Sequence, residues 1–407
     1  MLKLLYITED TFPPYRVDVV ELFARQLVSR GYTIDWVMDV NKPQPGLGSE
    51  TQWLGSRVFL ARNEAGSGFL GRLSRNFKGL LNDLRILRLA RGGQYHVIQV
   101  RDKFFAGLVA ALAAKLTGAR FVFWMSYPLA ESKLQLAQNP RARYRWLLKL
   151  KARLMMASLY HGILPAADHV FVQSERMKQD VVARGVDPQR VSPVPMGIRA
   201  DKVGEPADAK PPSTEAPLLL HLGIILRIRS PEFLLRVLQR VRQRYPRATL
   251  AFVGEGQAPA DRQALEDEID RLGLREAVTV TGFLPMEQAW EWVQRADVCI
   301  SPFAPIPVLQ STSPTKLIEY LAMAKCVVAN EHPEQSLVLE QSGAGRVVAW
   351  DEDAFAAEIC RLLDEPQQAQ AMASRGPKWV REHRTYDVIA QQVDAAYRRL
   401  VAQGAAG

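Results

Sequence analysis

Short apolar runs of β-branched and aromatic residues alternate with longer helical patterns along this chain, and no other feature constrains its fold as much. In the first half the runs are KLLYIT, TIDWVMD, RVFLA, HVIQV, RFVFWM, HVFVQ and VSPVP, with helical patterns such as Val17–Arg30 and Phe104–Thr117 between many of them. In the second half LLLHLG, TLAFVG, VTVTGF, VCISPF and CVVAN keep the same rhythm. Strands joined through helices cross over instead of forming hairpins, so they run parallel with helices on both faces. The expected fold class is α/β. At 407 residues the chain exceeds what one core usually organises, and two doubly wound, Rossmann-like domains facing each other across a cleft are expected. The stretch 201–217, DKVGEPADAKPPSTEAP, lacks apolar periodicity and reads as a linker. The expected division is a first domain over 1–200, the linker 201–217, a second domain over 218–377 and a last helix over 378–407 able to pack back on the first domain.

Composition narrows the chemistry. Hydrophobic residues make up 48% and charged residues 23%, the balance of a folded, soluble protein. Cys299, Cys326 and Cys360 show no C-x-x-C spacing, and the six histidines form no ligand cluster, so no metal and no cofactor are expected. The opening MLKLLYITED meets acid too early for a signal peptide, and no apolar run is long enough to span a bilayer. A cytoplasmic location is expected. Residues 1–200 hold 29 basic and 15 acidic residues, an excess of 14 positive charges, whereas the remainder holds 23 and 28, a deficit of 5. The first half is therefore expected to face something anionic. Two segments carry much of this charge. The first, 69–93, has Arg72, Arg75, Lys78, Arg85, Arg88 and Arg91 against Asp83. The second, 139–162, has Arg141, Arg143, Arg145, Lys149, Lys151 and Arg153. With Phe77 and Trp146 beside them, such helices suit an anionic membrane surface, and a solvated basic face over a buried stripe is the other reading. No nucleic-acid reader motif is present, and no nucleic-acid partner is expected.

Familiar catalytic signatures are mostly missing. GEGQAP, Gly254–Pro259, is a broken dinucleotide fingerprint, and neither a P-loop nor a G-x-S-x-G elbow occurs. The stretch QSTSPTKLIEYLAMAKCVVA, Gln310–Ala329, has more to offer. Ser313 suits an N-cap with Pro314 at the first helical position. Leu317, Ile318, Leu321 and Ala322 form one apolar face, leaving Lys316, Glu319 and Met323 opposite with Thr315 at the edge. Either Lys316 and Glu319 pair on a solvated face, or the helix start and Lys316 hold a diphosphate. In HLGIILRIRSPEFLL, Arg227 and Arg229 follow a strand end, where two guanidinium groups could stabilise a departing diphosphate.

Five segments in order resemble the GT4-type retaining glycosyltransferases of the GT-B fold: ADHVFVQSERMKQDVVARGVDPQRVSPVPMGI (167–198), LAFVGEGQ (250–257), VTVTGFLPMEQAWEWVQRADVCISPF (278–303), SPTKLIEYLAMAKCVVA (313–329) and QSGAGRVV (341–348). The resemblance implies a metal-independent hexosyltransferase with a nucleotide-sugar in the C-terminal domain and an acceptor in the N-terminal domain. It implies that Glu319 meets the nucleotide ribose and that Ser313, Thr315 and Lys316 lie beneath the diphosphate. Arg227 and Arg229 match the cationic pair, which the resemblance makes catalytic, and Gly254, Gly282 and Phe283 match the wall around the base.

The chain also departs from the family pattern. Ser311 stands where many relatives carry a second glutamate, Ile224 follows Gly223 in place of an arginine, and PPYRVD (Pro13–Asp18) replaces a Gly-Gly loop. Met125 and Ser126 occupy the position of a frequent histidine. Arg16 and Ser126 remain as diphosphate or acceptor contacts. The expected activity is transfer of a sugar from a UDP- or GDP-sugar, with retention, to a lipid-linked saccharide in polysaccharide or glycolipid assembly at the inner face of the cytoplasmic membrane. A nucleotide-sugar epimerase and a non-catalytic membrane-associated partner of a polysaccharide assembly are the alternatives.

Overall fold

A computed structural model describes residues 1–40, 49–62, 69–138 and 144–405; the side chains of 61–78 and of 405 lie outside this description, as do Arg141 and Arg143. The chain forms two compact units, Met1–Pro195 with Tyr386–Gly407, and Met196–Thr385. Each is an α/β unit built on its own largely parallel sheet.

The first unit carries eight strands: β1 (Leu2–Thr11), β2 (Tyr32–Val40), β3 (Glu50–Trp53), β4 (Ser56–Arg62), β5 (Val97–Arg101), β6 (Arg120–Met125), β7 (His169–Val172) and β8 (Val191–Pro193). Their order is β3-β4-β2-β1-β5-β6-β7-β8, parallel except for the β3–β4 hairpin. That hairpin was not expected: β3 is short and polar, and its turn depends on Leu54 and Gly55 adopting φ of +49° and +77°, as a two-residue hairpin loop demands. Central strands are apolar on both faces, and separate cores lie on either side of the sheet. One core includes the helix Phe104–Thr117, which buries Ala106, Gly107, Ala110, Ala113 and Ala114. These small residues admit close approach, since a Cβ at Gly107 would come within 3.1 Å of Ile163.

The other core is completed from the far end of the chain. Residues beyond 378 were expected to form a single helix. Instead Gly376–His383 belongs to the second unit, and Tyr386–Ala405 belongs to the first. Tyr386, Ile389, Val393, Tyr397 and Leu400 recur at helical spacing and pack with Leu4, Tyr6, Trp36 and Trp124. Tyr32 donates to Asp394 at 2.5 Å and Arg30 to Asp387 at 2.6 Å, holding the helix in register.

The second unit's strands are β9 (Leu218–Leu222), β10 (Thr249–Val253), β11 (Val278–Val280), β12 (Val298–Ser301), β13 (Val327–Asn330) and β14 (Arg346–Val348), all parallel in the order β11-β10-β9-β12-β13-β14. Counted within the unit this is 3-2-1-4-5-6, whose order reverses between β9 and β12. The stretch 201–217 is not a free linker; it is strapped to this unit. Gly204 N–H donates to Ala322 O at 2.8 Å, Gln370 donates to Ala209 O at 2.9 Å, and Ser213 N–H donates to Asp297 at 2.8 Å. Its composition signals only the lack of regular structure, because its partners lie far away in sequence.

Candidate functional site

Ligands of doubly wound sheets bind beyond the carboxyl ends of the strands where the order reverses. In the second unit that point brings together the segments after β9 and β12. Gly223 ends β9 at φ +128°, and the amine of Lys316 lies over it: a Cβ there would stand 3.6 Å from Lys316 Cε and Nζ. Gly254, at the matching end of β10, presses so closely that a Cβ would stand 2.1 Å from the Gly223 carbonyl oxygen. Only glycine fits there, so Gly254 shapes the strand ends by its absence of a side chain. The two following loops are joined as well, Ile225 N–H donating to Glu255 O at 3.0 Å.

Lys316 is buried, so of the two readings of its face the solvated one does not hold. The helix Thr315–Ala322 is enclosed nearly all round, with Lys316, Leu317, Ile318, Tyr320, Leu321 and Ala322 buried. Lys316 Nζ stands 3.3 Å from His221 Nε2 and 5.4 Å from the centre of the Phe303 ring. The Arg229 guanidinium stands 5.8 Å from the same ring centre. Burial, with Arg229 nearby, pushes the Lys316 ammonium well below its ordinary pKa. Burial, then Lys316 and Arg229, likewise keep His221 neutral. Lys316, His221 and Arg229 thus gather beyond the strand ends, with the charged forms of Lys316 and His221 disfavoured by burial.

Glu319 does not pair with Lys316. Its Oε1 accepts from Trp290 Nε1 at 3.2 Å, and burial raises its carboxyl against the opposing pull of that hydrogen bond and of Lys316. Tyr320 ties the helix to the sheet, its oxygen accepting from Leu222 N–H at 2.7 Å. Ser313 does not cap the helix. Pro314 is the N-cap in extended conformation, and Ser313 Oγ accepts from Met196 N–H at 3.0 Å instead. With Pro314 φ and ψ at −74° and 103°, the helix starts one residue later than expected, at Thr315. Ser311 is buried. Asn330 holds Phe303 at both backbone groups, accepting from its N–H at 2.7 Å and donating to its O at 2.8 Å.

The remaining expected residues lie further out. Arg227 is exposed at the start of the turn Arg227–Arg229. Gly282, at φ +74°, faces Glu255 and Arg262, which pair at 2.8 Å, and Phe283 beside it is 83% exposed. Arg16 and Ser126 belong to the first unit, beyond the ends of β1 and β6. Arg16 approaches Asp18 at 3.4 Å, and Ser126 donates to Asp102 through its hydroxyl and, at 2.9 Å, through its N–H. Both acids face the buried Arg101, 2.8 Å from Asp18 and 3.6 Å from Asp102. Burial alone would raise the Asp18 carboxyl, but Arg101 and Arg16 hold it below its usual range. Among the described residues no three His, Cys, Asp or Glu side chains converge as metal ligands would.

Sequence reading missed His221, Trp290 and Phe303. Each lies inside a quoted segment, and a histidine within the otherwise apolar LLLHLG was the one signal available. Two α/β units, each on its own largely parallel sheet, are the architecture of the GT-B class of glycosyltransferases. The family described as glycosyl transferase 4-like domain matches residues 17–197, and that described as glycosyl transferases group 1 matches 216–365. The chain belongs to the group 1, GT4-type glycosyltransferases. Its fold is similar to sucrose-phosphate synthase from Thermosynechococcus elongatus, at 20% identity and TM-score 0.74 over 99% of this chain and 100% of that one. It is also similar to HepE from Anabaena in complex with UDP and glucose, at 15% identity and TM-score 0.67 over 97% and 99%. In sequence it is 22% identical over 187 residues to the α-D-kanosaminyltransferase of Streptomyces kanamyceticus. That match spans 46% of each chain, so less than half the length of this curated relative.

Proposed function

We propose that the protein transfers a sugar, with retention, from a UDP- or GDP-sugar to a lipid-linked saccharide presented at an anionic membrane surface on the cytoplasmic side. The observation that carries the donor half is Lys316, a buried amine grouped with Arg229, His221 and Phe303 at the switch point of the second sheet. A diphosphate there would meet Lys316 and Arg229 directly, with Arg227 at the outer edge and the start of the helix at Thr315 beneath it. Protein cations would then neutralise the leaving group, and no metal is required. Glu319, oriented by Trp290, would accept from the ribose hydroxyls, and Phe283 and Gly282 would flank the base.

In the reaction the bond between the sugar's anomeric carbon and the diphosphate oxygen breaks. The acceptor oxygen bonds to that carbon on the same face, and its proton passes to the departing phosphate oxygen. Arg227 and Arg229 would stabilise the charge that develops on that oxygen. The acceptor would be met by the first unit, where Arg16 and Ser126 stand at the strand ends. The complex of HepE with UDP and glucose supports the donor class.

The test is a thermal-shift series with UDP, GDP, ADP and their sugar conjugates on the wild-type chain and on Glu319→Ala. One nucleotide diphosphate should raise the melting temperature of the wild type, and Glu319→Ala should reduce that rise while the free protein melts normally. Equal shifts in both proteins would overturn the assignment of Glu319. No shift with any nucleotide would overturn the donor site.

A further inference from the structure

We infer that the first unit docks by inserting apolar helix stripes into the interfacial region of a bilayer that contains anionic lipid. The inference deepens the membrane reading given above and rests on it for the acceptor, but its geometry stands apart from the donor site. The helix Phe104–Thr117 buries its alanines and exposes its leucines: Leu108, Leu112 and Leu116, one turn apart, are 41–53% exposed. The helix Arg145–Ala157 buries only Ala152 and exposes Trp146, Leu150 and Leu154 at the same interval, 49–67% exposed. A water-facing helix would place these residues the other way round. Leu80 and Leu84 add an exposed pair on a third helix, Phe69–Gly93, which packs beside Phe104–Thr117.

The stripes of Phe104–Thr117 and Arg145–Ala157 approach one another at one end. The helix Arg145–Ala157 continues directly into Ser158–Ile163, and Leu108 Cδ2 lies within 2.9 Å of where a Cβ on Gly162 would stand. Single exposed leucines are ordinary in soluble proteins, but whole apolar stripes left exposed on helices of one unit mark a surface that is covered in use. Charge indicates what covers it. Arg145, Lys149 and Arg153 keep the same four-residue interval one position before Trp146, Leu150 and Leu154, so a basic stripe runs about 100° round the helix from the apolar one. The helix Arg145–Ala157 carries no acid. Apolar and cationic stripes side by side match the acyl and phosphate layers of a leaflet. No helix among the described residues is long and apolar enough to cross a membrane, so the contact is one of lying in the surface.

The test uses the full chain with vesicles of phosphatidylcholine alone and of phosphatidylcholine mixed with an equal amount of phosphatidylglycerol. Binding to the mixed vesicles should persist in part at high salt, because the apolar term is not screened. Leu150→Glu should weaken partition about tenfold or more, and so should Leu112→Glu, on a helix with little charge of its own. Brominated lipid should quench wild-type tryptophan fluorescence more than that of Trp146→Phe. The nucleotide-induced thermal shift of each variant should match the wild type, which separates failed docking from failed folding. Wild-type-like partition by both glutamate variants would overturn the inference, as would complete release by salt. Dimerisation through this face, seen as a mass halved in Leu150→Glu by light scattering while vesicles are ignored, would also overturn it. A failure of the transferase reading would appear separately, as vesicle binding without any nucleotide response.

Discussion

Lys316 Nζ lies 3.3 Å from His221 Nε2, and both groups are held away from their charged forms. His221 Nδ1 stands 3.4 Å from the carbonyl of Ile300, which leaves Nε2 free to accept from the amine. The buried imidazole thus meets a lysine whose charged form burial disfavours.

The first prediction concerns protons. A bound diphosphate favours the ammonium form, so nucleotide binding should take up a proton, and affinity should fall as pH rises through the depressed Lys316 value. Calorimetric titration with the responding nucleoside diphosphate, at mildly alkaline pH in two buffers of different ionisation enthalpy, reads this directly. Lys316→Met should abolish the buffer dependence and weaken binding roughly 10- to 100-fold, the worth of a charge-assisted hydrogen bond. Heats that ignore the buffer in the wild type would refute the linkage.

Trp290 supplies the second. Trp290→Phe keeps an aromatic ring but removes the donor to Glu319, and nucleotide affinity should fall about fivefold, or about 1 kcal/mol. The loss should deepen toward low pH. Burial already raises the Glu319 carboxyl, and the indole N–H is one of the two groups that oppose this. A wild-type pH profile in the variant would show that Trp290 does not tune Glu319.

Arg227 and Arg229 should separate kinetically. Exposed Arg227 should act on the developing charge, so Arg227→Ala should lower kcat roughly 10- to 100-fold with little change in donor KM. Arg229, beside Lys316 over Phe303, should affect donor KM and kcat together when replaced by alanine. Steady-state rates at varied donor concentration decide this, and parallel losses in Arg227→Ala would make it an ordinary binding residue.

Gly254→Ala tests packing. Its Cβ would collide with the Gly223 carbonyl at 2.1 Å, and the cost should exceed about 3 kcal/mol, seen as a large fall in melting temperature or loss of folded protein. Gly31→Ala is the control. There φ is +87° and nothing lies within 4 Å, so only the backbone cost of about 1 kcal/mol should apply. Similar losses for the two would mean that the sheet yields at Gly223.

The parallel sheets were legible because each central strand is apolar on both faces, which leaves a continuous signal in sequence. The short polar strand Glu50–Trp53 left none, and pairs only because the turn at Leu54 and Gly55 directs it. The segments that hold Lys316, Glu319 and Arg229 are legible in sequence, but their surroundings are not. Helical periodicity placed Lys316 opposite the apolar face, but only tertiary contacts with β9 and Phe303 reveal that this face is covered as well. Ser313 shows the same limit: the residue suits a cap, but Met196, far away in sequence, claims its hydroxyl. The basic segments were read with the stripe beneath them buried or bound for a membrane, and Trp146, Leu150 and Leu154 stand exposed.

The helix Tyr386–Ala405 has a consequence for how the protein is made. One face of the first sheet, with Leu4, Tyr6 and Trp36, is sealed by the final helix of 20 residues. The second unit, contained between Met196 and Thr385, has its whole sequence in hand before that helix emerges from the ribosome. Of these two units, the one begun earlier is therefore completed later, and a chain cut short before Tyr386 leaves that early-made face open to misassociation.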